Sequence, residues 1–322
     1  MKISSFKKLA ESVKQMKEKA CVAVVCAHDL HTLEGIVAAR QEGMIEPVLI
    51  GVADQISAIL TSLGEKASNY EVIDRHSIEE SMETAAGLVK QGKAGVIMKG
   101  KLESGPFMKG ILNKENDLRT GGVLSVTGFF EMPAYHKLIA VTDIAINPHP
   151  DLEGKKSILL NAVHLLHALG HENPKVAVLA SAEKVNPKIP ETVDGDLLKQ
   201  MNVNGEISGC IVEGPISFDL ATSMEAARIK GYESPVAGDA DLLFVPDLTC
   251  GNVLVKSMTG MAGAVTAGLV LGAKVPVILV SRAAEASDKY YSLALAAYAS
   301  KHFQQIEKKG AKHGASISDF SN

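Results

Sequence analysis

From Ala20 onward, short apolar runs rich in β-branched residues alternate with longer stretches whose apolar positions recur at helical spacing, the signature of β-α-β units. ACVAVVCA precedes a helical pattern in HTLEGIVAARQEG, and PVLIG precedes one near DQISAILTSLG. EVID leads into SIEESMETAAGLVKQG, and AGVIMKG into a helix expected near Pro106, because proline suits a first helical turn. Between roughly Leu118 and Asn147 the segments LSVTGFFEMP and YHKLIAVTDIAIN lie too close together for a helix between them and predict a hairpin or meander. The alternation then resumes: a helix in LEGKKSILLNAVHLLHALG, strand KVAVLAS, a helix in PETVDGDLLKQM, strand CIVEGP, a helix in FDLATSMEAARIKG and strand DLLFVPD. The apolar region AGAVTAGLVLGAKVPVILV is divided by Lys274 and Pro276 into two core segments. A long helix, SDKYYSLALAAYASKHFQQIEKKG, follows, with an alanine-rich face for packing on the first unit.

This pattern predicts an α/β protein of two α/β domains with mostly parallel sheets and a cleft between them. We expect residues 1–140 with 273–322 to form one domain and 141–272 the other. At 322 residues there is ample core for both. No stretch offers the roughly 20 uninterrupted apolar residues of a membrane span, and MKISSFKKLAESVKQMKEKA reads as a helix rather than an export signal. Four cysteines without CxxC or Cys/His spacing predict a reducing, cytoplasmic setting with neither disulfides nor structural zinc. A net charge of -4 and the absence of basic runs with interleaved aromatics argue against nucleic-acid binding. Any anionic ligand must therefore be held by a few placed cations.

Several stretches offer such cations. MKGKLESGPFMKG follows an apolar strand and opens a helix, so Lys99, Lys101, Ser104 and Lys109 beside backbone amides suit an anion cradle, or simply a solvated turn. It matches neither a P-loop nor a dinucleotide fingerprint. The run VPVILVSRAAEASD brings Ser281 and Arg282 to a strand's carboxyl end, where open α/β sheets bind ligands, with Asp288 in the first turn of the following helix. Arg282 can fork onto two phosphate oxygens; equally, Ser287 and Asp288 can serve only as helix-start residues. Asp239, Asp241 and Asp247 raise a divalent metal, although aspartates also favour turns and no histidine is near in sequence. Cys250, beside Thr249, Gly251 and Asn252 in a strand-to-helix turn, reads as an acyl-carrying nucleophile or as a small buried residue. In EGPISFDLA, Ser217 or Asp219 serves as a helix cap, and His28 and His149 stand just after strands, lining a cleft or serving turns.

Taken in order, EGPISFDLA, GDADLLFVPDLTCGNVLVKSM and GAKVPVILVSRAAEASD resemble the phosphate acetyl/butyryltransferase family along essentially the whole chain. HPDLEGKK and MKGKLESGPFMKG are closer to its butyryl-type branch. The resemblance implies an isocitrate/isopropylmalate-dehydrogenase-like fold, a homodimer, and acyl exchange between coenzyme A and inorganic phosphate. Coenzyme A then serves as substrate, with no bound cofactor and no metal; a butyrate kinase would be the metabolic partner. It also implies that the catalytic Ser-Arg, with Asp seven positions after the Ser, falls on Ser281, Arg282 and Asp288. Asn252 joins Lys99, Lys101, Ser104 and Lys109 as substrate-binding candidates. Where acetyl-type relatives carry a phosphate-binding arginine, this chain reads Phe107-Met108-Lys109, which makes Lys109 the candidate there; a lysine cannot reproduce a bidentate contact.

These residue types suit the chemistry. A thiol with an ordinary pKa near 8.5 is mostly protonated at neutral pH, so Asp288 as base can take the coenzyme A proton during attack on an acyl phosphate. Two other readings remain at this level. One is a metal- and NAD-dependent hydroxy-acid dehydrogenase using Asp239, Asp241 and Asp247. The other is a non-catalytic acyl-CoA-binding protein, which would be expected to have lost Ser281, Arg282 or Asp288.

Overall fold

The computed structural model describes residues 2–280 and 284–313, with side chains to residue 303; Ser281 and Arg282 lie outside the described residues. The chain forms two compact units. Of the described residues, one comprises 6–122, 266–280 and 284–305, the other 2–5, 123–265 and 306–313. The first unit begins with α1 (Phe6–Lys14), β1 (Ala20–Val25), α2 (Leu30–Gln41), β2 (Ile45–Gly51), α3 (Ala53–Ser62), β3 (Glu71–Asp74), α4 (Ile78–Lys90), β4 (Val96–Lys99) and α5 (Ser104–Leu112). The second unit holds β5 (Ser125–Glu131), β6 (Ile139–Thr142), α6 (Leu152–Ala168), β7 (Lys175–Leu179), α7 (Pro190–Val203), β8 (Ile211–Ile216), α8 (Phe218–Thr222), α9 (Met224–Lys230), β9 (Leu242–Phe244) and α10 (Leu248–Gly260). The chain returns to the first unit through β10 (Val265–Leu271), β11 (Val277–Ile278) and α11 (Ala286–His313).

In the first unit the strands lie in the order β3-β2-β1-β4-β11-β10. All neighbours are parallel except β10 and β11, which pair antiparallel at Val270 and Val277. Helical crossovers cover both faces, so Val22 to Val25 of β1 are fully buried, which explains an apolar run without alternation. Asp29 starts α2: its Oδ2 accepts from the Thr32 amide (2.9 Å) and hydroxyl (2.7 Å). Leu33, Ile36 and Val37 then face the core at helical spacing; fully burying Leu33 or Ile36 contributes roughly 1.5–3 kcal/mol each.

The second unit orders its strands β5-β6-β9-β7-β8. The expected hairpin is there, with β5 and β6 antiparallel through Phe129 and Ala140, and it opens this unit; the remaining pairs are parallel. Two helical expectations differ in detail. FDLATSMEAARIKG makes two helices rather than one, because the Ser223 hydroxyl accepts from the Ala226 amide (3.2 Å) and starts α9 afresh. Helix α5 begins at Ser104, two residues before Pro106. Among the described residues no helix is long and apolar enough to cross a membrane.

Candidate active site

In the first unit the parallel register fixes which loops meet. Val25 of β1 pairs with Lys99 of β4, and Ile278 of β11 pairs with Met98, so the three strands end at one edge. Cys26–Asp29, Gly100–Glu103 and the chain leading to Ser281 all depart there. The close approach of two of them depends on Gly100. Its amide donates to Val25 O (2.8 Å), and a Cβ on it would stand 2.3 Å from Cys26 O, so any larger residue must push the strand ends apart. The Lys101 amide donates in turn to Cys26 O (2.8 Å), while Cys26 itself is buried with φ +54°. Strain of this kind at a sheet's carboxyl edge commonly accompanies function.

The four candidates of the loop after β4 part company. Lys99 is only 6% exposed and its ammonium donates to the carbonyls of Gly100 (3.3 Å) and Leu102 (3.0 Å), within the turn. Lys101, Ser104 and Lys109 are exposed, and α5 is anchored beneath them by the fully buried Phe107 and Ile111. His28 stands at the same edge. Burial, then the Lys101 charge, lower its pKa, so the ring is neutral at physiological pH; its Nδ1 is sealed from solvent without a hydrogen bond.

Asp288 lies in the first turn of α11, half-buried. Its Oδ1 accepts from the Thr266 amide and its Oδ2 from the Glu285 amide, both at a long 3.3 Å. Burial pushes its pKa above the ordinary carboxylate value, and these two weak bonds only partly oppose it. A carboxylate made more basic by desolvation is suited to accept a proton.

Asn252 belongs to the second unit, half-buried near the start of α10. Asp247 Oδ1 caps that helix through the Cys250 amide (2.8 Å), and a Cβ on Gly251 would stand 2.5 Å from Asp143 O, so α10 rests against the end of β6. The buried Asp143 carboxylate organises the loop after β6, accepting from the amides of Val126, Ala145 and Asn147 (2.9–3.0 Å). Cys250 is exposed rather than buried. Desolvation, then Asp247 and Glu191, hold its thiol above the ordinary value, the opposite of an activated nucleophile. Ser217 is used by Glu183 (2.5 Å), Asp219 pairs with Lys230 (2.8 Å), and His149 is exposed.

The three aspartates considered for a metal are otherwise engaged. Asp239 meets Lys137, Lys175 and His136, and Asp241 meets Lys137 and Lys2 with His171 Nδ1 at 3.4 Å. Histidines absent from the neighbouring sequence are thus brought in by the fold, but with lysines that repel a cation. Among the described residues no three His, Cys, Asp or Glu side chains are grouped to hold a metal.

Among the charged residues that the sequence did not single out is Lys289, next to Asp288 and only 5% exposed. The signal was present, since Lys289 falls on the stripe of Ser292, Leu293, Ala296, Ala297 and Ser300, all buried on α11.

Comparison with known proteins places this geometry in a class. The family described as phosphate acetyl/butaryl transferase matches residues 61–297. The chain belongs to that family and is an acyltransferase. It is 38% identical to the phosphate butyryltransferase of Clostridium acetobutylicum over 295 residues, covering 92% of this chain and 98% of that protein. It is 39% identical to the phosphate acetyltransferase of Thermotoga maritima over 290 residues, 90% of this chain and 98% of the other. Among solved structures, a branched-chain phosphotransacylase from Enterococcus faecalis superposes with a TM-score of 0.78 at 30% identity, covering 87% of this chain and 99% of that one.

Proposed function

We propose that the chain is a phosphate butyryltransferase, exchanging a butyryl or branched short-chain acyl group between coenzyme A and inorganic phosphate. The supporting observation is the Asp288 carboxylate, half-buried and made more basic at the position where the family resemblance puts its base. The butyryl-type relative of nearly full length supports the choice of acyl group. In the direction of thioester synthesis, coenzyme A sulfur attacks the carbonyl carbon of the acyl phosphate as Asp288 takes the thiol proton. The carbon–oxygen bond to phosphate then breaks, and Arg282 holds the departing phosphate. Ser281 donates a hydrogen bond to the developing oxyanion, a contact typically worth roughly 3 kcal/mol. In the reverse direction phosphate oxygen attacks the thioester, and protonated Asp288 returns its proton to sulfur. Lys101, Ser104, Lys109 and Asn252 contact substrate, and Lys99 shapes the loop that presents them.

On this reading coenzyme A is a substrate, not a resident cofactor, and no metal takes part. The enzyme works in the cytoplasm as a homodimer, upstream of a kinase that consumes the acyl phosphate. A phosphate acetyltransferase is the second reading, favoured by the 39% identical relative from Thermotoga maritima. The two methylenes by which butyryl exceeds acetyl are worth together only about 1.6 kcal/mol in a pocket, so the two activities differ in ranking rather than in kind. The test is thiol release from acetyl-, butyryl- and isobutyryl-CoA by EDTA-treated enzyme, with and without phosphate. Phosphate-dependent release that survives EDTA, fastest with butyryl- or isobutyryl-CoA, is the expected result. A preference for acetyl-CoA selects the second reading, and no release from any of the three refutes both.

A further inference from the structure

A lysine whose stem is buried normally ends in an ion pair, since its charge is poorly solvated there. Lys289 does not. Among the described residues its ammonium makes no hydrogen bond or ion pair, although the residue is only 5% exposed. Among the described residues the Lys289 nitrogen is not one of the side-chain polar atoms sealed off without a hydrogen bond, as His28 Nδ1 and Tyr70 Oη are, so it keeps an opening to solvent.

Its surroundings show where that opening lies. A Cβ on Gly35 would stand 3.3 Å from the Lys289 Cβ, so the stem passes against α2. Helical side chains lean toward their helix's N-terminus, which directs the ammonium back to the first turn of α11. The Lys289 charge acts on both nearby carboxyls. Asp29 is raised by burial but brought below its ordinary value by the Thr32 hydroxyl and amide and by Lys289, and Lys289 also opposes the burial of Asp288. Both carboxylates already accept amide hydrogen bonds, Asp29 as the cap of α2 and Asp288 from Thr266 and Glu285. The ammonium therefore lies near the starts of two helices of 12 and 28 residues, whose dipoles favour an anion, with its donors uncommitted.

We propose that Lys289 contacts a substrate phosphate group in the acyl-transfer site, either that of inorganic phosphate and acyl phosphate or one of those on coenzyme A. The inference rests on the transferase reading and adds a residue to it. It is tested with Lys289→Met, whose unbranched apolar side chain fills the same channel, and with Lys289→Gln, which carries the same expectation should the Met variant not fold. Steady-state thiol release gives separate KM values for phosphate and butyryl-CoA. Calorimetric titration of wild type and variant with inorganic phosphate and with coenzyme A gives affinities that need no turnover. The expected result is a rise of about tenfold or more in KM and Kd for one of the two ligands, with kcat changed less than about threefold and Lys289→Arg restoring part of the affinity. Phosphate as the weakened ligand places Lys289 at the reacting centre; coenzyme A places it on the nucleotide side. Lost thermal stability with both affinities within about twofold of wild type would show a structural lysine and overturn the proposal. If wild type binds phosphate or coenzyme A but turns nothing over, the transferase reading fails while the titrations still decide Lys289; binding of neither refutes both.

Discussion

Replacing Asp288 with asparagine separates the chemistry of this carboxylate from its place in the fold. Asparagine keeps one oxygen acceptor and turns an amide against the second donor. One of the Thr266 and Glu285 amides then loses its partner, which costs about 1 kcal/mol at these long distances. A second effect opposes this loss. Because burial raises the folded-state pKa, the stabilisation belonging to the protonated form is complete below the ordinary value of 3.8 and is lost as pH rises through the folded value. Above that folded value the wild type has lost it, whereas the neutral amide retains it. The two effects leave stability within about 1 kcal/mol of wild type, a Tm shift of about 2–4 °C in either direction. Loss of a general base instead lowers turnover by about 100-fold or more, equivalent to about 2.7 kcal/mol of barrier. Thiol-release kinetics and differential scanning calorimetry on the same preparation give both quantities. The wild-type rate should rise with pH through the raised Asp288 pKa, and the variant should lack that limb. Turnover within about threefold of wild type removes Asp288 from the mechanism. A Tm fall beyond about 10 °C would show that the carboxylate holds the start of α11, refuting the reasoning on stability.

Three further outcomes follow from particular contacts. Asp241→Asn breaks a buried ion cluster and should destabilise the protein by about 3 kcal/mol or more, seen as a lower Tm near neutral pH. Burial would raise the Asp241 pKa, but His171, Lys137 and the Lys175 amide hold it well below 3.8. Its stabilisation is therefore complete above that value and lost as pH falls through the folded value; equal destabilisation of the variant at pH 7 and in strong acid would contradict the ionic origin. Gly100→Ala drives a methyl into Cys26 O and should cost about 1–3 kcal/mol and at least about tenfold in kcat/KM; a variant with unchanged kinetics shows that the β1 and β4 ends do not shape the site. Cys250→Ser should leave turnover within about twofold of wild type, because the thiol is held protonated; a fall to about 1% would instead point to an acyl-enzyme.

The alternation of β-branched runs with helical spacings determined nearly every element, because strand and helix impose different periods on residues that must reach a core. VAVV in β1 and VIM in β4 read as strands and are strands, buried throughout as a parallel sheet covered on both faces requires. The hairpin of β5 and β6 was legible for the same reason: too few residues separate the strands for a crossover. FDLATSMEAARIKG misled because its apolar spacing runs straight through Ser223, while the break depends on one hydroxyl meeting one amide. The chain also showed Asp288, in the first turn after an apolar strand, and resemblance gave it a role.

Only the tertiary structure decided what surrounds each of these groups. Periodicity reports which face of an element is buried, whereas a carboxylate's basicity or a lysine's availability depends on atoms far away in sequence. Asp288 is made basic by burial, and what opposes that burial includes the amide of Thr266, 22 residues earlier. Asp239 and Asp241 lack nearby histidines in the chain, yet meet His136 and His171 beside Lys137 once strands from distant segments are aligned. Lys99 and Lys101, two residues apart, diverge completely: one ammonium turns into the loop's own carbonyls and the other stays exposed. Lys289 shows the same division in one residue. The sequence sets it on a buried stripe, but only the packing of α11 against Gly35 leaves its charge acting on Asp29 and Asp288 while its ammonium has no partner among the described residues.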